Sequence, residues 1–279
     1  MWIVAAVVTM FCFGINNMIF KVTAGKGVSK VHMQFFFYLI AFLLILGYGM
    51  TKEFAPFNLV TIVLGAIIGI LNTNGNIQMS KAFEKGPASL TSPLISTYTV
   101  IPVLSAALIF HEHITLLQWG GIMIMLASAV VIQYTPGSNG GAIDYKPWMF
   151  RILLSILSFG VLGVLMKTSS HLQIDSINIL VCMYGGGAIY LLLYSIFMKE
   201  KWHQSELKFG AIIGCFSVAG YSSYFFALDT GIASIVFPIV SLSCLIVVLG
   251  SCWLYKEKLK AYQLIGVITA VVGIVLTKI

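Results

Sequence analysis

The sequence predicts an all-α integral membrane protein whose ten transmembrane helices form a 5+5 inverted repeat. Three observations predict it. The chain is 59% hydrophobic and only 9% charged, with a mean hydropathy of +0.99, whereas soluble domains run near a quarter charged. Apolar runs recur between short polar breaks along its 279 residues, each close to the ~20 residues a spanning helix needs. The second half of the chain also repeats the first. Ten spanning helices use roughly 200 residues, and short loops use most of the rest. No separate soluble domain of about 50 residues fits beside them. This composition speaks against a cytosolic enzyme, a nucleic-acid binder and a disordered chain. The expected partners are the lipid bilayer and a small-molecule substrate, with no nucleic acid. The formal net charge of +7 reads as basic loops beside a membrane.

The helices follow in order from the apolar runs. The first is placed at 2–24. It starts at Met1 and Trp2 without a basic leader, so it reads as a retained helix and not a cleaved signal. The next four are placed at 31–51, 58–82, 88–110 and 115–134. The longest polar break, 135–147, contains Pro136, Gly137, Gly140, Gly141 and Pro147 and is the expected linker. Beyond it come 148–170, 175–198, 207–229, 232–255 and 260–278. The linker therefore separates two five-helix repeats, 1–134 and 148–279. Strands do not compete, because the runs are too long and lack period-two alternation. The five cysteines all lie in apolar runs without ligand spacing and read as small buried hydrophobes.

The repeat is visible residue by residue. Gly65-Ala66-Ile67-Ile68-Gly69 recurs as Gly210-Ala211-Ile212-Ile213-Gly214, an offset of 145. The same offset equates Pro93 with Pro238, Ser96 with Ser241, Glu112 with Glu257 and Gln118 with Gln263. Nineteen identities fall on it between residues 65 and 132 without a gap. Chance matching in such a composition runs at about one position in twelve. Each half holds five helices, an odd number, so the second half enters the membrane in the opposite sense. Inverted repeats of this kind are an architecture of transporters. Thirteen of the sixteen Lys and Arg residues fall on the loops joining helices 1–2, 3–4, 5–6, 7–8 and 9–10 or on their ends. The positive-inside rule places those loops in the cytoplasm and both termini outside.

The segments Glu112, Gln118, Gly121 and Glu257, Gln263, Gly266 resemble the EamA repeat of the drug/metabolite transporter superfamily. So do the turns Ala82 to Ser89 and Ala227 to Ser234, and the first-helix pattern from Phe13-Gly14 to Lys21. The resemblance covers essentially the whole chain. It implies ten helices, two inverted repeats, and a central cavity lined mainly by helices 1, 3, 4, 6, 8 and 9. It also implies a secondary transporter working by alternating access, with no enzymatic activity and no cofactor. Members move amino acids, nucleotide sugars, sugar phosphates, amines or drugs, and are usually drawn with both termini cytoplasmic, against the charge count. Export of an amino acid or related compound is the first expectation. Uptake of an amine or quaternary ammonium, or of a sugar-phosphate-type cargo, is the alternative. A membrane-embedded enzyme or receptor-like protein is the alternative of another class.

Candidate cavity residues come from polar groups within apolar runs, since these are costly in hydrocarbon unless they face protein or water. The third helix holds Asn72, Thr73, Asn74, Asn76, Gln78 and Ser80. At helical spacing Gly65, Gly69, Asn72 and Asn76 share one stripe, and Gly210, Gly214, Ser217 and Tyr221, followed by Tyr224, form its equivalent. The glycines allow close helix contact. Asn72 and Asn76 either reach a cavity or bond neighbouring helices. Asn16 and Asn17 lie mid-helix in the first helix, and Lys21 stands one turn after Asn17. Lys21 either attracts an anionic group or snorkels to the interface. Pro93 and Pro238 each remove a backbone donor and open a turn, either as a packing kink or to offer a carbonyl to cargo. Ser96, Tyr98 and Ser241 lie near them. Glu112 and Glu257 close helices beside loops and are read as structural or gating residues. His111 and His113 flank Glu112 at i, i+2 and do not face one another, so no metal site is expected. No Asp or Glu lies mid-helix, which disfavours proton antiport through a central carboxylate.

Overall fold

The computed structural model describes residues 1–24, 28–52, 54–85, 91, 94–133, 145–198, 202–255 and 260–277. Among these it is entirely helical. The elements are α1 (Trp2–Ala24), α2 (Lys30–Lys52), α3 (Leu59–Lys85), a 3₁₀ turn (Thr97–Thr99), α4 (Val100–Leu108), α5 (Leu116–Gln133), α6 (Tyr145–His171), α7 (Ser176–Met198), α8 (Gln204–Thr230), α9 (Ala233–Ser241), α10 (Cys244–Tyr255) and α11 (Ala261–Leu276). Six helices are long and apolar enough to cross a membrane: α1, α2, α3, α6, α7 and α8. Four shorter apolar helical stretches accompany them: Leu94–Leu108, Leu116–Ile132, Ala233–Val247 and Ala261–Leu276. Outward faces are apolar, as on α6, where Leu153, Leu157 and Val161 are exposed.

Two expected helices are broken. The fourth, expected at 88–110, contains the 3₁₀ turn Thr97–Thr99 and ends at Leu108, with 88–90 outside the described residues. The ninth, expected as one run at 232–255, is divided between α9 and α10. Pro238 lies inside α9. Just beyond it the backbone tightens into i→i+3 bonds, Leu242 N–H to Ile239 O at 3.1 Å and Ser243 N–H to Val240 O at 3.0 Å. The two breaks fall at equivalent places under the offset of 145. α6 starts at Tyr145, earlier than expected, with Pro147 in its first turn, where a missing N–H costs nothing.

The chain divides into two compact units, and each draws on both halves of the sequence. The first comprises 1–73 and 165–231, the second 74–164 and 232–279. In the first, α8 packs against α1 and α2, and α2 also packs against α7. A methyl group on Gly69 would collide with the Met183 carbonyl of α7, and one on Gly210 would lie 2.8 Å from the Met33 carbonyl of α2. The glycines of each stripe therefore let α3 approach α7 and α8 approach α2 at backbone distance. In the second unit α5 packs against α11, and α9 against α4 and α5. Gly121 lies against Gly273 and Thr277, while Ile132 lies against Gly266, so α5 and α11 run antiparallel. Ser128 and Thr269 hydroxyls meet across this contact at 2.8 Å.

Side chains finish several helix ends. Asn58 Oδ1 accepts the Thr61 N–H at 2.7 Å and caps α3. Asp175 Oδ1 accepts the Ile177 and Asn178 N–H groups at 2.9 and 3.1 Å and caps α7. α6 closes with Gln173 at φ 54°, its N–H bonded to Ser170 O at 3.0 Å, while Ile174 N–H reaches Ser169 O at 3.1 Å. That pair of bonds is a Schellman turn, whose left-handed position favours glycine. Gln173→Gly is expected to stabilise the protein by about 0.5–1 kcal/mol, read as a raised thermal midpoint in detergent. Of the cysteines, Cys12 is buried but Cys215 is exposed with Ile212 and Phe216 on the outward face of α8, against expectation. An apolar surface is as good a home for a thiol as a core when hydrocarbon surrounds it.

Candidate functional site

In the first unit, polar groups and aromatic rings gather around Asn72 on α3. Its Nδ2 donates to the Tyr38 hydroxyl of α2 at 2.7 Å and to the Tyr221 hydroxyl of α8 at 2.7 Å. One amide thus ties three helices together. The Tyr184 hydroxyl of α7 meets Ser217 Oγ of α8 at 3.0 Å. Rings extend the cluster: Tyr184 lies 5.6 Å from Tyr38 and 6.1 Å from Tyr221. Phe13 of α1 lies 4.7 Å from Tyr221 and 5.9 Å from Tyr224. Tyr38 has room because α7 carries Gly187 against its ring. Tyr38, Tyr184, Tyr221, Tyr224, Asn72 and Ser217 are all buried. The arrangement therefore holds hydroxyls, an amide and ring faces inside a membrane bundle, where polar groups are retained for a bonded or functional role.

Asn16 sits on α1 one turn beyond Phe13 and is buried, and its Oδ1 finds no hydrogen-bond partner among the described residues. A buried amide oxygen left without a donor is costly, on the order of 1–3 kcal/mol, and marks a place where a donor belongs. Asn17, about 100° further around the helix, is exposed, so the two neighbours do not share a surface. Lys21 lies in α1, but its side chain is outside the described residues. Lys167 Nζ donates to Leu228 O at 3.4 Å, in the last turn of α8.

The second unit holds the remaining candidates. Thr73, one residue beyond Asn72, ends the first unit's part of α3, and the half-buried Asn76 belongs to the second. Asn74 Nδ2 donates to Ser158 Oγ of α6 at 3.0 Å, Gln78 Nε2 donates to Asn74 Oδ1 at 3.0 Å, and Arg151 of α6 donates to Gln78 Oε1 at 2.6 Å. Tyr98 rests on Phe159, 5.2 Å between ring centres, beside the apolar cluster of Ala82, Ile95, Trp148 and Ile152. Ser96 borders a groove lined almost wholly by apolar side chains, Val100, Leu104 and Met123 among them. Ser241 Oγ bonds back to Pro238 O at 2.7 Å, so the opened turn satisfies itself locally. Pro93 and Glu257 lie outside the described residues. Among the described residues no three His, Cys, Asp or Glu side chains come together as metal ligands.

Glu112 caps a helix of the opposite half. Its carboxylate accepts the N–H groups of Ala233 and Ser234, both at 2.9 Å, and the Ser234 hydroxyl at 2.6 Å. These are the first residues of α9, where unpaired N–H groups and the helix dipole favour an anion. His111 takes φ 51° and turns the chain into position. Glu112→Ala is expected to cost about 2–3 kcal/mol, seen as a lower denaturation midpoint, with Glu112→Gln recovering part of it.

Sequence reasoning passed over a second carboxylate, Glu206. It is fully buried in the first turn of α8. Its oxygens accept the His203 N–H at 3.0 Å and the Ser29 N–H at 3.1 Å, and His32 Nδ1 lies 3.3 Å away. The His32 ring stacks on Trp202 at 3.9 Å. The capping-box spacing from His203 to Glu206 was a legible signal. Tyr38 and Tyr184 carried none, since each lies in an unbroken apolar run.

Comparison with known proteins adds the following. The sequence profile of the EamA-like transporter family matches residues 1–134 and again 146–279. A solved structure described only as "Crystal structure of protein" is similar with a TM-score of 0.80 at 13% identity, over 99% of this chain and 98% of that one. That likeness is one of fold. No curated protein sequence matches significantly.

Proposed function

We propose that this chain, which belongs to the EamA-like transporter family, exports a small polar metabolite, an amino acid or a related compound. A multi-pass membrane transporter of the drug/metabolite type is what the family establishes, and alternating access is the general mechanism of such carriers. The cargo class and direction are the reading added here. The observation that carries it is the buried Asn72–Tyr38–Tyr221 cluster with its neighbouring rings. Both phenol oxygens accept from Asn72, which leaves the Tyr38 O–H its capacity to donate. A phenol donor suits a carboxylate. The buried Asn16 oxygen suits an ammonium group. Ring faces of Phe13, Tyr221 and Tyr224 suit the apolar or cationic remainder of such a molecule.

The same rings favour an amine or quaternary ammonium as the second reading, because a ring quadrupole attracts cations without needing a carboxylate partner. We further infer that the halves 1–134 and 148–279 are inverted five-helix repeats joined by the 135–147 linker. The antiparallel run of α5 against α11, the fifth helices of the two halves, supports it. Carriers of this design rock their repeats about a bound solute, and the chain acts without chemistry on its cargo. Efflux and uptake of labelled amino acids, amines and sugar phosphates in proteoliposomes tests the proposal. Saturable flux of an amino acid is expected, and flux of amines alone would select the second reading. Absence of flux for every class would end both.

A further inference from the structure

Arg151 is the only arginine in the chain. Arg151, Ser155 and Ser158 follow at i, i+4 and i+7 on one stripe of α6, away from the exposed Leu153, Leu157 and Val161. Ser155 is fully buried and bonds the Gly75 carbonyl of α3 at 3.1 Å. The guanidinium therefore lies on the protein-facing side of a membrane helix and not on its lipid side. It is half-buried, and among the described residues its one partner is the uncharged Gln78. A permanent cation in such a place is a functional feature until a counter-ion is found for it.

The bonds beside it all run one way. Arg151 donates to Gln78, Gln78 to Asn74, and Asn74 to Ser158. Each amide oxygen in the ladder already accepts one bond within it. Donors therefore outnumber the lone pairs left for a ligand: the other guanidinium N–H groups, one amide hydrogen on Gln78, one on Asn74, and the Ser158 hydroxyl hydrogen. Aligned amides polarise one another and carry the positive potential inward. From Arg151 to Ser158 is seven residues of α6, or about 10 Å. Ser158 stands midway along this 27-residue helix.

We propose that Arg151, Gln78, Asn74 and Ser158 form an oxyanion-binding track, which receives the carboxylate or phosphate group of a soluble cargo. It rests on the transporter reading and narrows it to solutes that carry an anionic group. The guanidinium fork binds the oxyanion as it enters, and the amide and serine donors take it over along the helix pair.

The test uses the full chain in nanodiscs of neutral lipid, with acetate or inorganic phosphate exchanged for chloride at constant ionic strength. Either oxyanion is expected to raise the thermal midpoint of the wild type by about 3–5 °C. Arg151→Gln should bind at least tenfold more weakly and Arg151→Lys fall between, because a lysine lacks the fork. Ser158→Ala, a small change, provides a second variant and should weaken binding about threefold. An equal response in wild type and Arg151→Gln would overturn the proposal. So would no response in either, or an Arg151-dependent response found only when phosphatidylglycerol replaces the neutral lipid, which would assign the arginine to a lipid headgroup. Normal flux of an uncharged or cationic cargo by Arg151→Gln would remove the track and leave the transporter. Oxyanion binding without flux of any solute would do the reverse.

Discussion

Asn72→Ala is expected to reduce transport at least tenfold while the protein still inserts and folds. The amide donates to two phenols, at 2.7 Å each. Its loss removes the bridge that holds the Tyr38 and Tyr221 hydroxyls in place across α2 and α8. A misplacement of about 1 Å in a binding site is enough to cost 10²-fold. The fold should tolerate the change better than the site does, because bonds between membrane helices average about 0.6 kcal/mol each. Tyr221→Phe gives the control. It keeps the ring against Phe13, 4.7 Å away, and deletes only the hydroxyl. A drop in flux with Tyr221→Phe assigns the role to the hydroxyl, and normal flux assigns it to the ring. The pair is read as initial rates in proteoliposomes, normalised to inserted protein. Full activity in Asn72→Ala would remove this cluster from the transport path.

Glu206→Ala is expected to have the largest effect on stability, about 3–5 kcal/mol. The side chain is fully buried and accepts from two donors on two helix starts, the N–H groups of His203 and Ser29, with His32 Nδ1 3.3 Å away. Alanine leaves both N–H groups without an acceptor in a site closed to water. Glu206→Gln keeps one oxygen and should lose less than half as much. Chemical denaturation in micelles ranks the variants. Equal stability of Glu206→Ala and wild type would mean that water replaces the carboxylate, and that α2 and α8 do not depend on it for their starts.

Much of this was legible in the sequence, and the exceptions have physical causes. Glycine spacing at 65, 69, 210 and 214 pointed to close helix contact, because a side chain of one hydrogen has few other uses at that spacing. The breaks at Thr97–Thr99 and after Ser241 were not legible, because apolar periodicity does not register a few carbonyls switching from i+4 to i+3 partners. Glu206 stands among Lys199, Lys201 and Lys208, where a charge is ordinarily solvated, and the sequence reading did not single it out. Arg151 was absorbed into the count of basic residues on one side, although the stripe it shares with Ser155 and Ser158 points inward. On α3 the sequence singled out the stripe of Asn72 and Asn76. The structure gives side-chain hydrogen bonds to Asn74 and Gln78 as well, about 200° and 240° around the helix from Asn72. A residue's partner lies on another helix, and helix pairing is what a single sequence states least directly.

Accelerated exchange tests the central claim of alternating access most directly. Proteoliposomes are loaded with unlabelled solute, diluted into a trace of the same labelled solute, and followed in time. A carrier that presents one site alternately to each side gives a transient overshoot of label above equilibrium, and the overshoot should shrink at least tenfold in Asn72→Ala. Label that only rises to equilibrium would indicate a passive pore. No entry above empty liposomes, with any of the amino acids, amines or sugar phosphates tested, would contradict the transporter account.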